Sequence, residues 1–349
     1  MTEKYSVLIN YSDQNTLDKI LRELLSQKFE DIQYVKMQSS DELRILLDRL
    51  HRLKNEKILF IDIQNNPYIF DYSYIKKLSP DIGHIFLKYE SPVSSEMAIG
   101  MKENGALFKI PKEDLDQWSD CFGLAGAVTL KKDLMIKTLS KAPNLGSFFD
   151  EVLKIAVGVP VPVLKKNLKP CLFLDRDGII NEDPGYLSKP EQLKFMPGIF
   201  DLIRWAKRKG WYVVVVSNQS GLSRGKLTSQ ELVVLTDSFK KKMALEHAAP
   251  DAWFYCPYFP DGNVKEFSKN SVSRKPLPGM LLQAASNLPI DFERSFMIGD
   301  KDSDRIVLMG LHCLCIQGRY KLNVDKENVF ANLRDALSYL EKKTGDGVY

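Results

Sequence analysis

Short apolar runs alternate along the chain with segments whose apolar residues recur every three or four positions. The runs Ser6–Asn10, Ile58–Ile63, His84–Lys88 and Ala106–Ile110 are separated by helical patterns such as Thr16–Gln27 and Ser40–Leu53. Runs this short and this apolar predict buried strands, and their alternation with helices predicts β-α-β units. A valine- and proline-rich stretch, Val157–Pro170, interrupts the pattern and suits an extended connector. Beyond it the alternation returns more strongly, with Cys171–Leu174, Tyr212–Val216, Ser295–Ile298 and Cys313–Ile316 as buried-strand candidates. The pattern thus predicts an α/β protein of two Rossmann-like three-layer domains, residues 1–125 and 169–349, joined by a helical connector and linker over 126–168.

A length of 349 residues agrees with two domains. Lys and Arg number 49 against 45 Asp and Glu, and a net charge of +4 is too small for a dedicated nucleic-acid surface. No apolar window approaches a membrane span, and Met1–Lys4 does not open a basic-then-apolar leader, so neither membrane insertion nor export is expected. Five cysteines, an odd number, argue against a disulfide framework and for a reducing, cytoplasmic setting.

Candidate chemistry concentrates in the second domain. Leu172-Phe173-Leu174 runs into Asp175-Arg176-Asp177-Gly178, an apolar strand ending in two carboxylates. Open α/β sheets build their sites at that end of the strands. Val213–Val216 leads into Ser217-Asn218-Gln219-Ser220-Gly221, whose hydroxyl and amide donors can hold phosphate oxygens. Arg274-Lys275-Pro276 supplies two cations ahead of a helical stretch from Pro278, and Phe296–Gly299 ends in Asp300-Lys301-Asp302-Ser303-Asp304, an acid cluster suited to a hard cation. Each motif alone also reads as a turn, a surface basic pair or a solvated acidic loop.

In this order, acid pair, hydroxyl, lysine and acid cluster resemble the haloacid-dehalogenase-like (HAD-like) phosphatase superfamily over roughly 170–349. Asp175–Asn181, Gly185-Tyr186, Met196-Pro197-Gly198, Arg224-Gly225 and Cys256-Pro257 narrow the likeness to the histidinol-phosphate and heptose-bisphosphate branch. The Arg-Gly pair and the loop Cys256–Lys275 look most like the D-glycero-D-manno-heptose 1,7-bisphosphate 7-phosphatases. The resemblance implies a Mg²⁺-dependent phosphatase acting on a small sugar bisphosphate in the supply of nucleotide-heptose for surface polysaccharide. By the same resemblance Asp175 is the nucleophile and Asp177 the general acid and base. Ser217 and Lys275 hold the transferring phosphoryl group, and Arg176, Asn218, Arg224 and Arg274 contact substrate. Asp175, Asp300 and the backbone carbonyl of Asp177 ligate Mg²⁺, while Lys301 and Asp304 order that loop or form a structural ion pair. The alternatives are a histidinol-phosphate phosphatase, and a regulatory protein with a vestigial site.

One departure concerns a structural zinc that relatives bind through Cys-x-His and Cys-x-Cys. The aligned positions here are Cys256, Tyr258, Ser271 and Ser273, so structural zinc is expected to be absent and aromatic packing is the candidate to hold the loop. Cys313 and Cys315 lie in an apolar strand pattern and are expected in the core rather than on a metal. The first domain resembles a response-regulator receiver, a flavodoxin-like fold, with Asp62 at the phospho-acceptor position and Lys109-Ile110-Pro111 at the lysine-proline step. After the first strand, Asn10-Tyr11-Ser12-Asp13 offers at most one of the acids a receiver uses for Mg²⁺. The domain is therefore expected to be degenerate, with association with itself or another protein as its role and no switch through Asp62.

Overall fold

In a computed structural model the chain divides into two compact units, Met1–Leu115 with Cys121–Leu164, and Asp116–Asp120 with Lys165–Tyr349. The structure describes all residues except 1–4, 12–13, 28, 30, 37–41, 63–74, 76–77, 79–81, 92, 94–97, 103–105, 163–164, 166, 307, 309, 324–327 and 346–349. Ser12, Asp13, Ser40, Ile63 and part of the proline-rich stretch, all used in the sequence reading, lie outside the described residues.

The N-terminal unit begins as the pattern predicts. It runs β1 (Tyr5–Tyr11), α1 (Gln14–Ser26), β2 (Asp31–Lys36), α2 (Glu42–Arg52) and β3 (Lys57–Asp62), with the strands parallel in the order β2-β1-β3. Asp62 ends β3 as expected, and its Oδ1 accepts a 3.0 Å bond from Asn10 Nδ2. The sheet then departs from an all-parallel receiver. After β4 (Gly83–Glu90), β5 (Ile99–Met101) and β6 (Leu107–Lys109), the long strand β7 (Cys121–Lys131) enters antiparallel between β3 and β4. The expected receiver-like sheet is thereby corrected to a mixed one. The Ala106–Ile110 strand is a short arm pairing with β5, and its Lys109 forms a 2.9 Å ion pair with Asp150.

The stretch read as a connector is also structured. It contains the second half of β7, then α3 (Lys132–Lys141), α4 (Leu145–Ile155) and β8 (Ala156–Pro160), which pairs with β4. β8 lies at the edge of the strand order, where a proline without an N–H is tolerated. Strand β7 escapes the sequence pattern for a physical reason. It is covered on both faces and carries Gly123 and Gly126, so it shows neither polar alternation nor an unbroken apolar run.

The C-terminal unit is a six-stranded sheet, parallel throughout, in the order β11-β10-β9-β12-β13-β14. Its strands are β9 (Cys171–Leu174), β10 (Tyr212–Asn218), β11 (Ala252–Cys256), β12 (Phe296–Gly299), β13 (His312–Ile316) and β14 (Val329–Phe330). Around them lie α5 (Ile199–Arg208), α6 (Ser220–Ser223), α7 (Ser229–Leu245), α8 (Gly279–Asn287) and α9 (Leu333–Lys343). All four β9 residues are buried, and Leu172, Leu174, Val213, Val215 and Ile298 share one core with Trp205, Trp211 and Phe239. On the other face Phe173 stacks on Phe292 with ring centroids 5.9 Å apart. Helix α7 starts at a capping box, Thr228 Oγ1 accepting from Glu231 N while Glu231 accepts from Thr228 N. The chain order places β10 on one side of β9 and β12 on the other, and the carboxyl ends of strands that flank such a reversal are where open α/β sheets bind ligands.

Candidate active site

Three carboxylates meet at that reversal. Asp175 extends β9 by one residue, its N–H donating to Ile298 O at 3.0 Å, and Asp300 follows β12 directly. Carboxylate oxygens of Asp175, Asp300 and Asp304 lie within 4.8 Å of one another, and all three residues are buried. Burial lifts the Asp175 carboxyl to about 6, helped by Asp304 and Asp177 and opposed by Lys275 and Lys301. Burial likewise lifts Asp300 to about 7, against Lys301. Asp300 Oδ1 has no hydrogen-bond partner, with Lys301 Nζ standing 3.8 Å away. A buried carboxylate oxygen without a donor, among like charges, is chemistry that a hard divalent cation completes.

Lys275 sits beneath this cluster, 2.9 Å from Asp175 and 2.6 Å from Asp304. Burial works against its charge, but the two carboxylates outweigh burial and keep the ammonium above its ordinary range. Asp304 also accepts from Asp300 N and Lys301 N, so it ties Lys275 to the acid loop. Lys301 bonds Asp183 at 3.2 Å and lies 4.6 Å above the Tyr320 ring.

Asp177 is held by three neighbours. Arg176 reaches it through Nε and Nη2 at 2.8 to 3.1 Å, Asn181 Nδ2 donates at 3.1 Å and Gln219 Nε2 at 3.0 Å. Burial alone would raise the Asp177 carboxyl, yet the Arg176 charge and these bonds hold it below the usual carboxylate range. The same Gln219 amide donates to Ser217 Oγ at 2.8 Å, linking the acid pair to the hydroxyl at the end of β10. Sequence reasoning quoted Asn181 and Gln219 inside their motifs without giving them roles. Asp183 it missed altogether, since nothing distinguishes that residue from an ordinary loop acid.

Two expected substrate contacts are engaged within the protein. The Arg176 side chain is buried against Phe239 and engaged with Asp177, so its guanidinium orients the acid pair. Asn218 exchanges bonds of 3.0 and 3.1 Å with the backbone of Lys275, so it seats the lysine. Arg224 and Arg274 do come together as expected, with guanidinium carbons 4.6 and 4.9 Å from the centre of the same Phe259 ring.

Gly178 has φ +92°, and a Cβ there would collide with the Asp300 carboxylate. Gly178→Ala therefore combines left-handed strain with displacement of Asp300. A loss of at least about 10²-fold in kcat is expected from a misplacement of that kind, with little change in KM, and steady-state kinetics at saturating Mg²⁺ check it.

The loop after β11 differs from the expectation built on aromatic packing. Tyr258 lies near Phe267, 6.2 Å between centroids, and Phe267 packs on Leu222, Leu227 and Leu232. A carboxylate from elsewhere in the chain also enters. Asp120 accepts from Ser271 Oγ and Val272 N, each at 2.7 Å, and from Ser273 Oγ. A structural zinc does not fit this donor set. Burial pushes the Cys256 thiol up to about 11, and two serine hydroxyls and a phenol are poor zinc donors. Cys315 is buried in β13, while Cys313 is half-buried.

A family model described as HAD-hydrolase-like matches residues 272–312. The D-glycero-beta-D-manno-heptose-1,7-bisphosphate 7-phosphatase of Yersinia pestis is 44% identical over 135 residues, which are 39% of this chain and 72% of the relative. The D-glycero-alpha-D-manno-heptose-1,7-bisphosphate 7-phosphatase of Burkholderia mallei (strain ATCC 23344) is 41% identical over 134 residues, 38% of this chain and 71% of that protein. The solved D,D-heptose 1,7-bisphosphate phosphatase from B. bronchiseptica, complexed with magnesium and phosphate, is 26% identical, covering 50% of this chain and 99% of that one at a TM-score of 0.41.

Proposed function

Because the chain belongs to the D-glycero-D-manno-heptose-1,7-bisphosphate 7-phosphatase family, we propose that it removes the 7-phosphate of that sugar bisphosphate through an aspartyl-phosphate on Asp175. It is a phosphoric monoester hydrolase of the HAD type. The observation that carries the reading is the buried junction of Asp175, Asp300 and Asp304 with Lys275, at the carboxyl ends of the central strands.

Asp175 attacks phosphorus as the bond to the sugar oxygen breaks, and Asp177 gives that oxygen a proton. Asp177 then takes a proton from water as the water attacks the acyl phosphate, which releases inorganic phosphate and restores the Asp175 carboxylate. The ionised Asp177 held by Arg176, Asn181 and Gln219 is set for this second step. To act as the acid it must first take up a proton and leave the guanidinium. Ser217 donates to the phosphoryl oxygens and Lys275 neutralises the charge that grows on them. Asp175, Asp300 and the Asp177 backbone carbonyl would hold Mg²⁺, which when bound offsets the repulsion between the nucleophile and a phosphate dianion.

Arg224 and Arg274, packed on one ring, are assigned to the second phosphate. Arg274→Ala should then narrow the kcat/KM gap between bisphosphate and monophosphate sugars by roughly ten- to a hundred-fold, the worth of one guanidinium–phosphate contact. Equal losses on both substrates would place Arg274 at the reacting centre. The substrate serves nucleotide-heptose supply, and all five cysteines are free, which supports a cytoplasmic setting. Association is proposed as the role of the N-terminal unit, which exposes Tyr34, Leu134, Ile155 and Val157.

A further inference from the structure

We infer that Asp120 is a positioning residue for Lys275 and Arg274: its carboxylate serves as the internal cross-link of the loop that carries them. The inference rests on the phosphatase reading for its kinetic consequence and on geometry for the cross-link itself. Asp120 lies in a five-residue segment, Asp116–Asp120, that interrupts the sequence of the N-terminal unit yet belongs to the C-terminal one. The segment docks by its backbone first. Ser119 N donates to Asn270 O at 3.0 Å, Asn270 N donates to Gln117 O at 2.8 Å, and Trp118 bridges Asn270 in parallel.

That docking delivers a carboxylate into a buried pocket of donors. Oδ1 receives Ser271 Oγ and Val272 N, and Oδ2 receives Ser273 Oγ. Both hydroxyls are engaged further. Ser271 Oγ accepts from Ser273 N at 3.0 Å and faces the Cys256 thiol at 3.7 Å, while Ser273 Oγ accepts from Gln283 Nε2 at 2.7 Å. Ser271 and Ser273 thus converge on one anion, with the Cys256 thiol set against Ser271. Hydroxyls and an amide N–H donate, so they suit a carboxylate as thiolates suit zinc. The clamp ends one residue before Arg274 and two before Lys275, whose backbone is then fixed by Asn218 and whose ammonium meets Asp175. A loop released at 271–273 would let that ammonium move by about an ångström or more, enough to cost on the order of 10²-fold in turnover.

The test uses the full-length protein at saturating Mg²⁺ and compares wild type, Asp120→Ala and Asp120→Asn. Iodoacetamide labelling, resolved by peptide mass spectrometry, reads the opening of the loop at Cys256 against Cys171, a buried control in β9. Turnover is followed on the heptose bisphosphate and on p-nitrophenyl phosphate. In Asp120→Ala, Cys256 should label at least about tenfold faster with Cys171 unchanged, and kcat should fall roughly 10²-fold on both substrates. Asp120→Asn keeps Oδ1 as an acceptor and should recover most of both losses. Ser273→Ala, which removes one donor only, should label at an intermediate rate and keeps the test open should Asp120→Ala fail to fold. The inference is overturned by unchanged Cys256 labelling in Asp120→Ala and Ser273→Ala, by Cys171 opening in step with Cys256, or by a kcat within about threefold of wild type in Asp120→Ala. A wild type active on p-nitrophenyl phosphate and inert toward the sugar counts against the substrate assignment alone.

Discussion

Asp175→Asn is expected to lower kcat by at least about 10⁴-fold, because an amide cannot attack phosphorus and cannot serve as an anionic cation ligand. Loss of activity by itself would not separate chemistry from misfolding, but stability does. The Asp175 carboxyl is lifted by burial to about 6, so its ionisation at neutral pH works against the metal-free fold. The sign follows from proton counts. Between the ordinary carboxylate range and about 6 the folded state holds more protons than the unfolded chain, so the stability contribution falls as pH rises through that window. Metal-free wild type should lose thermal stability from about pH 4 to pH 7, and Asp175→Asn should lose less of it. Calorimetry of both proteins in chelator checks the point. A variant that is both inactive and markedly less stable than wild type at pH 7 would mean that Asp175 supports the fold rather than the reaction.

Arg176→Met should cost about 3 to 5 kcal/mol, since it removes the buried partner of an ion pair and leaves Asp177 with only amide donors. For a unit of this size that corresponds to a melting point lower by roughly 6 to 20 °C. The Asp177 carboxyl should rise once the guanidinium that lowers it is gone, weakening the base needed for the second step. The double variant Arg176→Met with Asp177→Asn supplies the control. With no charge left to compensate, it should regain much of the stability, a clear departure from additivity. Additive losses would show that Arg176 matters through packing on Phe239 and not through its charge.

Most of the site was legible because each residue follows a strand whose apolar run is hard to mistake. Asp175 and Asp300 come directly after β9 and β12, and Ser217 is the next-to-last residue of β10, so strand identity fixes their placement at one end of the sheet. Lys275 needed the family motif, as a lysine in a loop says little alone. The protein partners of Arg176 and Asn218 were not legible, because residue type reports what a side chain can bind and only the fold shows which neighbours it meets. Asp120 was out of reach of pattern reading, since its partners lie about 150 residues downstream and nothing local marks it. The N-terminal unit reads well through β3, and the runs His84–Lys88 and Ala106–Ile110 fall on β4 and β6, but β7 escapes, because an inserted antiparallel strand covered on both sides carries no periodic signal.

The carboxylates and the lysine reach the same point by unequal routes. Asp175 and Asp300 follow β9 and β12 in the interior of the sheet, whereas Lys275 arrives from the chain after β11, the strand at its edge. Edges open at lower free energy than centres. In rising urea the two capacities should therefore separate, with cation binding outlasting turnover. Such a half-denatured sample would still take up metal from solution while hydrolysing nothing. On dilution its activity would return at the speed of one loop reseating, well ahead of the time needed to rebuild the sheet.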